Sequence, residues 1–587
     1  MNYNIKRHYE CTTTLGMTVC SFDLDRWIQG FQNFWKSSSD DDDGRLDGVQ
    51  PMDEDNAHSR MVKMLTCVSV DSLCKLVKEQ NSVPALTCLI NAYRAACHND
   101  SDGTHKSETF SKILMFMLHE ADAIFRKLLG ISSSSLKKEA VLELKNSKKW
   151  LSLRLLIKSY LRSTLFLLNQ VTDTEILTFS ICRLRASIIF LAPFPSLLHK
   201  ASQVLDMCKP YALVARLAET NISVHLWATG DQSLSSHSFL IIRDIASVFS
   251  SSCFDSCFVK TYKAFTSHSQ FVERRLFEHI HFLRNSFVEL CGLDVQKSSN
   301  KALICILHLA KILQKGWQTK KKELVKKICS WQYINCIDLW VAFISTNIPD
   351  YDLQPLLYMI VQIINGVALL FPGPRYLPLR LRCIQWLNCL SASSGVFIPV
   401  TSLVLDVLEY KITKDGGKPG KVLEPLSTIK LPKHWLKSRD FPDECISSAI
   451  ELLSEHFAQW RYHISFPELA TAPLIHLKKL YEITSIESFK RVIKRFIDQV
   501  EMNVDFVRKK RDDVPFSPKD HQSAETFLQA EKHNGSTPFS QYYKSIMSKA
   551  ASRKTISNGK SSGKTGRKKM QHRNGMVGVT ATEILKN

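Results

Sequence analysis

The 587-residue sequence predicts an all-α fold, a solenoid of HEAT- or armadillo-like helical repeats. Apolar residues recur at three- and four-residue steps, and the period-two alternation typical of strands is rare. The chain has only 21 glycines and 20 prolines, which argues against a β-rich fold or a parallel sheet with glycine-rich turns. It is also longer than one hydrophobic core usually covers. Either several domains or an array that grows by adding repeats is therefore required, and the array is favoured.

The composition divides the chain into three zones. Residues 1–60 include the acidic run Asp40 to Asp43 and are predicted to be mostly disordered, because they have too little apolar surface to offset the entropy of ordering. Residues 61–505 carry the helical periodicity and are predicted to form the repeat scaffold. Residues 506–587 are polar, and we expect an extended segment and then a disordered basic tail. From Lys544 through Thr582 there are ten Lys or Arg and no acidic residue.

Clusters of Ser, Asn, Gly and Pro predict the breaks between helices of the scaffold. Breaks are expected at Asn99–Thr104, Ser132–Ser135, Ser298–Asn300, the turn at Pro372 and a longer linker, Lys414–Pro432. No exact repeat period is visible. This suits pairs of antiparallel helices that have diverged and keep only their apolar faces.

The clearest predicted helix lies between Leu353 and Phe371, a stretch of nineteen residues with no charge. Such a run is barely long enough to cross a membrane, but Gln362 and Asn365 interrupt it, and a helix buried in an array has the same hydropathy. We therefore predict a core helix that ends at Pro372. Its buried stripe is expected to be Leu356, Ile360, Ile363, Val367 and Leu370.

Prolines are expected to start the helices that follow. Pro378 suits the first turn of a helix, and the string from Gly395 to Pro399 breaks the chain and restarts it. The string from Phe466 to Leu469 has the same form, a short extended piece that leads through a proline into a helix. Both strings are predicted to set the angle between repeats, and so to serve architecture first.

The charge of the chain predicts a polyanionic partner. Its formal net charge is +21 and its pI about 9.2, which suits RNA, DNA or an acidic protein. The densest basic cluster inside the scaffold is a candidate contact for such a polyanion, although a run of charges is more often only a solvated face. It consists of Lys320, Lys321 and Lys322, followed by Lys326 and Lys327. A second cluster lies in the tail and is predicted to serve nuclear import and RNA binding; it consists of Lys564, Arg567, Lys568, Lys569 and Arg573.

Several other residues have two interpretations. Arg375, Arg380 and Arg382 flank the predicted turn, where they could bind phosphate or could form salt bridges with a neighbouring repeat. The two interpretations carry equal weight. The tryptophans at 331, 340 and 386 could stack on bases, but their helical spacing beside apolar residues favours the core.

The sequence contains no complete catalytic or metal-binding motif, and neither an enzyme nor a cofactor is predicted. Gly563-Lys564-Thr565 resembles the end of a phosphate-binding loop, but position 558, where that loop needs a glycine, is Asn558. Seventeen evenly spread cysteines suit a reducing compartment, and no disulfide framework is expected. Cys253, Cys257 and the nearby His279 and His281 lack the two short ligand pairs of a zinc finger. No secretory signal peptide is predicted at the N-terminus.

Six strings in the scaffold and beyond occur in a recognisable order. They are Trp331-Gln332-Tyr333 with Leu339-Trp340, Leu353-Gln354-Pro355-Leu356, Pro378-Leu379-Arg380, Gly395-Val396-Phe397-Ile398-Pro399, Phe466-Pro467-Glu468-Leu469 and Phe516-Ser517-Pro518-Lys519-Asp520. In order and spacing they resemble the nucleolar complex protein 2 family, over roughly residues 145–545.

The resemblance implies a non-catalytic HEAT-like scaffold of the nucleolus and nucleoplasm that accompanies precursors of the large (60S) ribosomal subunit. Its implied partners are pre-ribosomal RNA and a related helical protein, nucleolar complex protein 1 or nucleolar complex protein 3. The expected contacts are Gln354 and the region from Arg375 to Arg382. A nuclear transport adaptor of the karyopherin type is the alternative, but such carriers are usually acidic and this chain is basic. Neither a membrane nor a small-molecule substrate is expected.

Overall fold

The structure is a computed structural model, and it describes residues 67–562 with gaps at 99–106, 133–138, 172–173, 195–196, 198–221, 250–252, 271–275, 411–426, 518 and 536. All described residues belong to one compact unit, Thr66–Asn587. Every regular element within them is a helix, which confirms the predicted all-α class. The predicted zone 1–60 and the tail cluster from Lys564 lie outside the described residues, and so do most of the linker and the predicted break at Asn99–Thr104.

In the described part of the chain, six helices precede residue 190. The short helix α4 is followed by a 3₁₀ turn, and another 3₁₀ turn follows α6. The six are α1 (Cys67–Gln80), α2 (Val83–His98), α3 (Ser107–Leu129), α4 (Glu139–Glu143), α5 (Lys148–Gln170) and α6 (Thr174–Ala186).

Sixteen further helices cover the rest of the described chain. They are α7 (Ile222–Thr229), α8 (Gln232–Val248), α9 (Phe254–His268), α10 (Phe277–Gly292), α11 (Val295–Thr319), α12 (Lys322–Ile328), α13 (Trp331–Asn347), α14 (Gln354–Leu370), α15 (Leu377–Ser394), α16 (Thr401–Leu408), α17 (Asp440–Trp460), α18 (Phe466–Ile483), α19 (Glu487–Asp512), α20 (His521–Thr526), α21 (Gln529–Asn534) and α22 (Pro538–Ser562).

The helices pack mainly on neighbours in sequence, as in a helical-repeat array. Helices α7 and α8 form a hairpin, and so do α9 with α10, α14 with α15, and α18 with α19. The second helices stack in a row, in which α8 contacts α10, α10 contacts α13, α13 contacts α15, and α15 contacts α17. One continuous hydrophobic core, from Val224 to Tyr542, runs through these pairs. This arrangement confirms the predicted helical solenoid.

Polar contacts hold the row of helices in register. Arg243 on α8 donates to Glu289 on α10 at 2.8 Å, and Arg284 on α10 donates to Asp338 on α13 at 2.6 Å. The other carboxylate oxygen of Asp338 accepts the indole N–H of Trp386 on α15 at 2.8 Å. Because hydrogen bonds to charged groups are directional and strong, each contact fixes how one helix lies along the next.

The predicted break at Ser298–Asn300 is wrong, because these residues lie within α11. The chain turns earlier, at Leu293 and Asp294, and the Asp294 side chain accepts the Lys297 backbone N–H and so caps the helix. The Ser298 hydroxyl donates to the Cys291 carbonyl at 3.0 Å. That serine therefore joins α11 to the end of α10 instead of opening the chain.

The predicted core helix is α14, and its stripe is confirmed. Leu356, Ile360, Ile363 and Val367 are buried, and Leu370 is half-buried against the core. Among the described helices, none has the length and apolar character needed to cross a membrane. The chain leaves α14 at Phe371, as the proline at 372 predicts.

The helix starts that follow α14 also agree with the positions predicted from the sequence. Pro378 lies in the first turn of α15, and Gly395 ends that helix in the left-handed conformation, at φ 67°. Pro467 lies in the first turn of α18 and is buried. Pro399 is exposed and lies two residues before α16, and the architectural role of the two strings stays a prediction.

The C-terminal prediction needs a correction. The chain beyond 506 is not extended, since α19 continues to Asp512 and α20, α21 and α22 follow it. Residues 544–562, predicted as the start of a disordered tail, form the second part of α22. Phe539, Tyr542 and Ala550 are buried where α22 packs on α17 and α19.

Candidate nucleic-acid interface

The end of α11 and the whole of α12 carry a dense group of lysines, here called the lysine surface. Glu323 is the only acidic residue between Asp294 and Asp338. All members are exposed except Lys311, which is half-buried. The lysine surface consists of Lys311, Lys315, Lys320, Lys321, Lys322, Lys326 and Lys327.

A tight turn brings the lysines of the two helices together. Lys320 takes the left-handed conformation at φ 49°, and its backbone N–H donates to the Gly316 carbonyl. Gly316 has no side chain where α12 folds back; a Cβ there would lie 2.4 Å from Cδ1 of Ile328. Because Ile328 is completely buried at this contact, α12 packs closely on α11 and its polar side faces outward.

The pKa of His308 reflects the positive charge of this region. Its pKa is lowered, first by partial burial and then by the positive charges of Lys327, Lys311 and Lys315. These three lysines come from both helices. The shared effect shows that α11 and α12 present their charges to one place.

Five lysines of the lysine surface, those of the turn and of α12, have no acidic partner among the described side chains. Lys320, Lys321 and Lys322 form no ion pair with any described side chain, and neither do Lys326 and Lys327. At the start of α11 the situation is different: Lys297 pairs with Asp294 at 3.0 Å, and Lys301 pairs with Asp255 at 3.3 Å. The lysines of the turn and of α12 thus differ from the two paired lysines at the start of α11, and they are available to an external anion.

The three candidate arginines are engaged within the fold to different degrees. Arg380 is 2% exposed, ion-pairs with Asp406 of α16 and donates to the Pro372 carbonyl at 3.3 Å. Of its two predicted roles, the structure thus shows the salt bridge with a neighbouring helix, and the buried guanidinium is not part of the exposed surface. Arg375 is half-buried and donates to the Leu431 carbonyl at 3.2 Å.

Arg382 and the three tryptophans form part of the packing of the row. Trp340 and Trp386 are buried, as the core interpretation predicts. Trp331 is half-buried, and the Arg382 guanidinium lies over its ring at 5.0 Å from the centroid. The Phe277 ring also packs against it in a T-shaped arrangement, with 5.5 Å between the ring centroids. Trp331 therefore has little free face to offer a base.

Gln354 is exposed at the start of α14, and a face of this helix continues from it. Tyr358 is 67% exposed and Leu369 56% exposed, with exposed Gln362 between them. No charged residue occurs in α14. The outer face of α14 is defined here as Gln354, Pro355, Tyr358, Gln362 and Leu369.

Sequence reasoning missed Trp317, which lies in the last turn of α11 and is 41% exposed. Its indole N–H donates to the Gly366 carbonyl of α14 at 3.3 Å. Its place between Lys315 and Lys320 was a usable signal, since an aromatic ring among basic residues is a common feature of nucleic-acid sites.

The described residues contain no group of three or more His, Cys, Asp or Glu side chains suited to a metal ion. Their cysteines are free thiols, and burial raises the pKa of Cys336 and Cys257 to about 12, which keeps both protonated. The shift makes these two thiols unreactive at neutral pH.

A cleft of about 570 Å³ lies between the start of α18 and the end of α19. Its Arg511 donates to both carboxylate oxygens of Glu468, at 2.8 and 3.0 Å. His463 accepts the backbone N–H of Ser465 through Nδ1. This nitrogen is thereby occupied by the backbone and does not activate the serine hydroxyl as a nucleophile.

Comparison with known proteins identifies the family. The model of the Noc2p family matches residues 252–546, which is half of the chain and includes α11, α12 and α14. The chain belongs to the Noc2p family. This confirms the resemblance recognised in the order of the sequence strings.

Relatives of this Noc2p-family chain extend the match beyond those residues. Protein REBELOTE of Arabidopsis thaliana is 51% identical over 88% of this chain and 85% of its own length. Nucleolar complex-associated protein 2 of the same plant is 38% identical over 84% of the chain, and nucleolar complex protein 2 of Drosophila melanogaster is 26% identical over 86%. The chain spans 63% and 64% of the lengths of these last two proteins.

Proposed function

We propose that this Noc2p-family chain is a non-catalytic scaffold of ribosome assembly in the nucleolus. Two similar proteins carry nucleolar names, the nucleolar complex-associated protein 2 of A. thaliana and the nucleolar complex protein 2 of D. melanogaster. A helical-repeat array supports this role, because it offers long surfaces to several partners at once and needs no cleft.

The proposed cargo is a precursor of the large ribosomal subunit, and the proposed residence covers the nucleolus and the nucleoplasm. The observation that carries the proposal is the exposed part of the lysine surface, in which Lys320, Lys321, Lys322, Lys326 and Lys327 have no acidic partner among the described residues. Lysines of this kind release counterions when they meet phosphates, so a phosphate-rich particle is the natural ligand.

The proposed protein partner is a related helical protein, of the nucleolar complex protein 1 or 3 type, and the outer face of α14 is its proposed docking site. Exposed uncharged side chains such as Tyr358 and Leu369 suit the centre of a protein interface, where charged groups are depleted. Lys311 and Lys315 of the lysine surface lie on α11, which packs on α14, and the other members follow in the turn and on α12. One region of the scaffold would then hold both RNA and partner.

Purification of the tagged full chain from nuclei tests the proposal. We expect a related helical nucleolar complex protein and large-subunit precursor RNA to be recovered together. Recovery of nuclear cargo with a transport GTPase, and of no precursor RNA, would instead support a karyopherin-type adaptor. Depletion of the chain should make large-subunit precursor RNAs accumulate while small-subunit maturation continues.

A further inference from the structure

Trp317 differs from the other tryptophans of the described chain. Eight tryptophans lie in the described residues, and Trp317 alone is among the large apolar side chains that are strongly exposed. No described aromatic ring or cation stacks on it, in contrast to Trp331 under Arg382. An indole face on a soluble surface is available for a ligand.

The indole is held in place from one edge. Its N–H donates to the Gly366 carbonyl at 3.3 Å, so the polar atom of the ring is satisfied by the backbone of α14. Gly366 makes the approach close, because a Cβ there would lie 2.7 Å from Leu313 Cδ2 and 3.8 Å from the indole nitrogen. A ring fixed in this way loses little conformational entropy when a flat ligand stacks on it.

The charge beside the ring defines the ligand further. Lys320 and Lys321 follow Trp317 by three and four residues, and the tight turn at Lys320 places Lys322 directly after them. All are exposed. A flat apolar face with several free ammonium groups close by matches a base and the phosphates of its own strand.

We propose that Trp317 and the lysine surface form a binding site for single-stranded RNA, in which one unpaired base stacks on the indole and the lysines contact the flanking phosphates. This inference rests on the proposed contact with RNA and specifies its form. A duplex keeps its bases stacked inside and presents mainly phosphates and sugars, so it would use the lysines and gain nothing from the ring.

The test compares binding of the full chain to a uridine-rich single strand and to a blunt-ended RNA duplex of equal length, by fluorescence anisotropy. Trp317→Ala should weaken single-strand binding about tenfold and leave duplex binding and the salt dependence unchanged. Trp317→Phe should restore most of the affinity, since a phenyl ring also stacks. Leu303→Ala, which removes another exposed apolar side chain of α11, is the matched control and should have no effect.

The wild-type chain provides a second readout that does not depend on a variant folding. A single strand with 4-thiouridine, irradiated in the complex, should crosslink to the peptide that contains Trp317. Equal weakening of single strand and duplex by Trp317→Ala, or crosslinks confined to other peptides, would overturn the inference. So would a Trp317-dependent affinity for polyglutamate, which would indicate an acidic protein as the ligand.

The proposed RNA contact and the proposed stacking site on Trp317 can be refuted independently of each other. Lys320→Gln/Lys321→Gln/Lys322→Gln should weaken both RNAs. If it does so while Trp317→Ala changes nothing, the RNA contact stands and the stacking site is wrong. If the wild-type chain binds neither RNA, the proposed RNA contact itself is wrong.

Discussion

At the scale of single residues, the lysine surface makes a quantitative prediction about salt. Each lysine that neutralises a phosphate contributes about 0.7 to the slope of log affinity against log salt for a single strand. The triple variant Lys320→Gln/Lys321→Gln/Lys322→Gln should therefore reduce the magnitude of this slope by about 2. The slope is measured from RNA titrations of both proteins between low and physiological salt.

Lys297→Gln/Lys301→Gln is the control for that experiment. Both lysines lie on α11, but each forms an ion pair within the chain, Lys297 with Asp294 and Lys301 with Asp255. Losing exposed ion pairs of this kind costs at most about 1 kcal/mol each. An equal fall of the slope in the control would mean that general charge, and not the lysine surface, governs binding.

Another residue, His456, should make the fold sensitive to acid. It is 3% exposed on α17, between Phe397 and Phe457, and burial lowers its pKa from 6.5 to about 4. Its Nδ1 has no hydrogen-bond partner among the described residues. The unfolded chain binds a proton at His456 more readily than the folded chain does. This contribution to stability is therefore complete above pH 6.5 and is lost as the pH falls towards 4.

The size of the effect is up to about 3 kcal/mol in the free energy of unfolding between those two pH values. His456→Leu should remove it, so the variant should lose less stability on acidification than the wild type. Denaturant titrations at pH 7.5, 5.5 and 4.5 measure the difference. If the free energy of unfolding depended on pH in the same way in both proteins, His456 would take up no proton on unfolding in this range.

At the scale of elements, the outer face of α14 should serve the protein partner and not the RNA. Tyr358→Ser/Leu369→Ser removes two large exposed side chains without touching the buried stripe, so the fold should be kept. We expect the variant to lose the related helical protein in a pull-down, by at least tenfold, and to bind RNA normally. Retention of the partner would place the interface elsewhere on the array.

The packing of α22 determines where a deletion of the tail can begin without disturbing the fold. Deletion from residue 550 would remove Ala550, which is 3% exposed, and Arg553, which pairs with Glu451 of α17 at 2.8 Å. Deletion of 563–587 spares both and removes Lys564, Arg567, Lys568, Lys569 and Arg573.

The shorter deletion should reduce nuclear and nucleolar accumulation, since it removes the compact cationic cluster that an import receptor would bind. Its melting temperature should stay at the wild-type value. Unchanged localisation, measured by microscopy of tagged chains, would make the tail merely a solubilising segment.

A helix is predictable from the sequence when its apolar periodicity is strong and the residues at its ends agree with it. Helix α14 is foreseeable because an uncharged stripe and bounding prolines agree. Ser298 misleads because serine usually signals a break, whereas here its hydroxyl bonds to Cys291 across a turn. Helix α22 is missed because its second half is polar and basic, and it is anchored mainly by Phe539 and Tyr542 near its start.

At the scale of the whole molecule, the basic charge and the repeated helices predict a scaffold, but they do not locate its sites. The lysine cluster is visible in the sequence, yet its freedom from acidic partners depends on which helices pack around it. Arg380 looks like a contact residue until its burial beside Asp406 is known. Trp317 becomes significant because tertiary packing leaves its face open, whereas packing covers most of each other tryptophan in the described residues.

The most direct test of the scaffold account is sedimentation of nuclear extracts that contain tagged wild-type chain or the triple lysine variant. The wild-type chain should sediment with large-subunit precursor particles, and ribonuclease should release it to the top of the gradient together with its helical partner. The triple variant should shift towards lighter fractions while it still binds that partner. A wild-type chain that stays in light fractions before ribonuclease treatment, bound to cargo and a transport GTPase, would contradict the account.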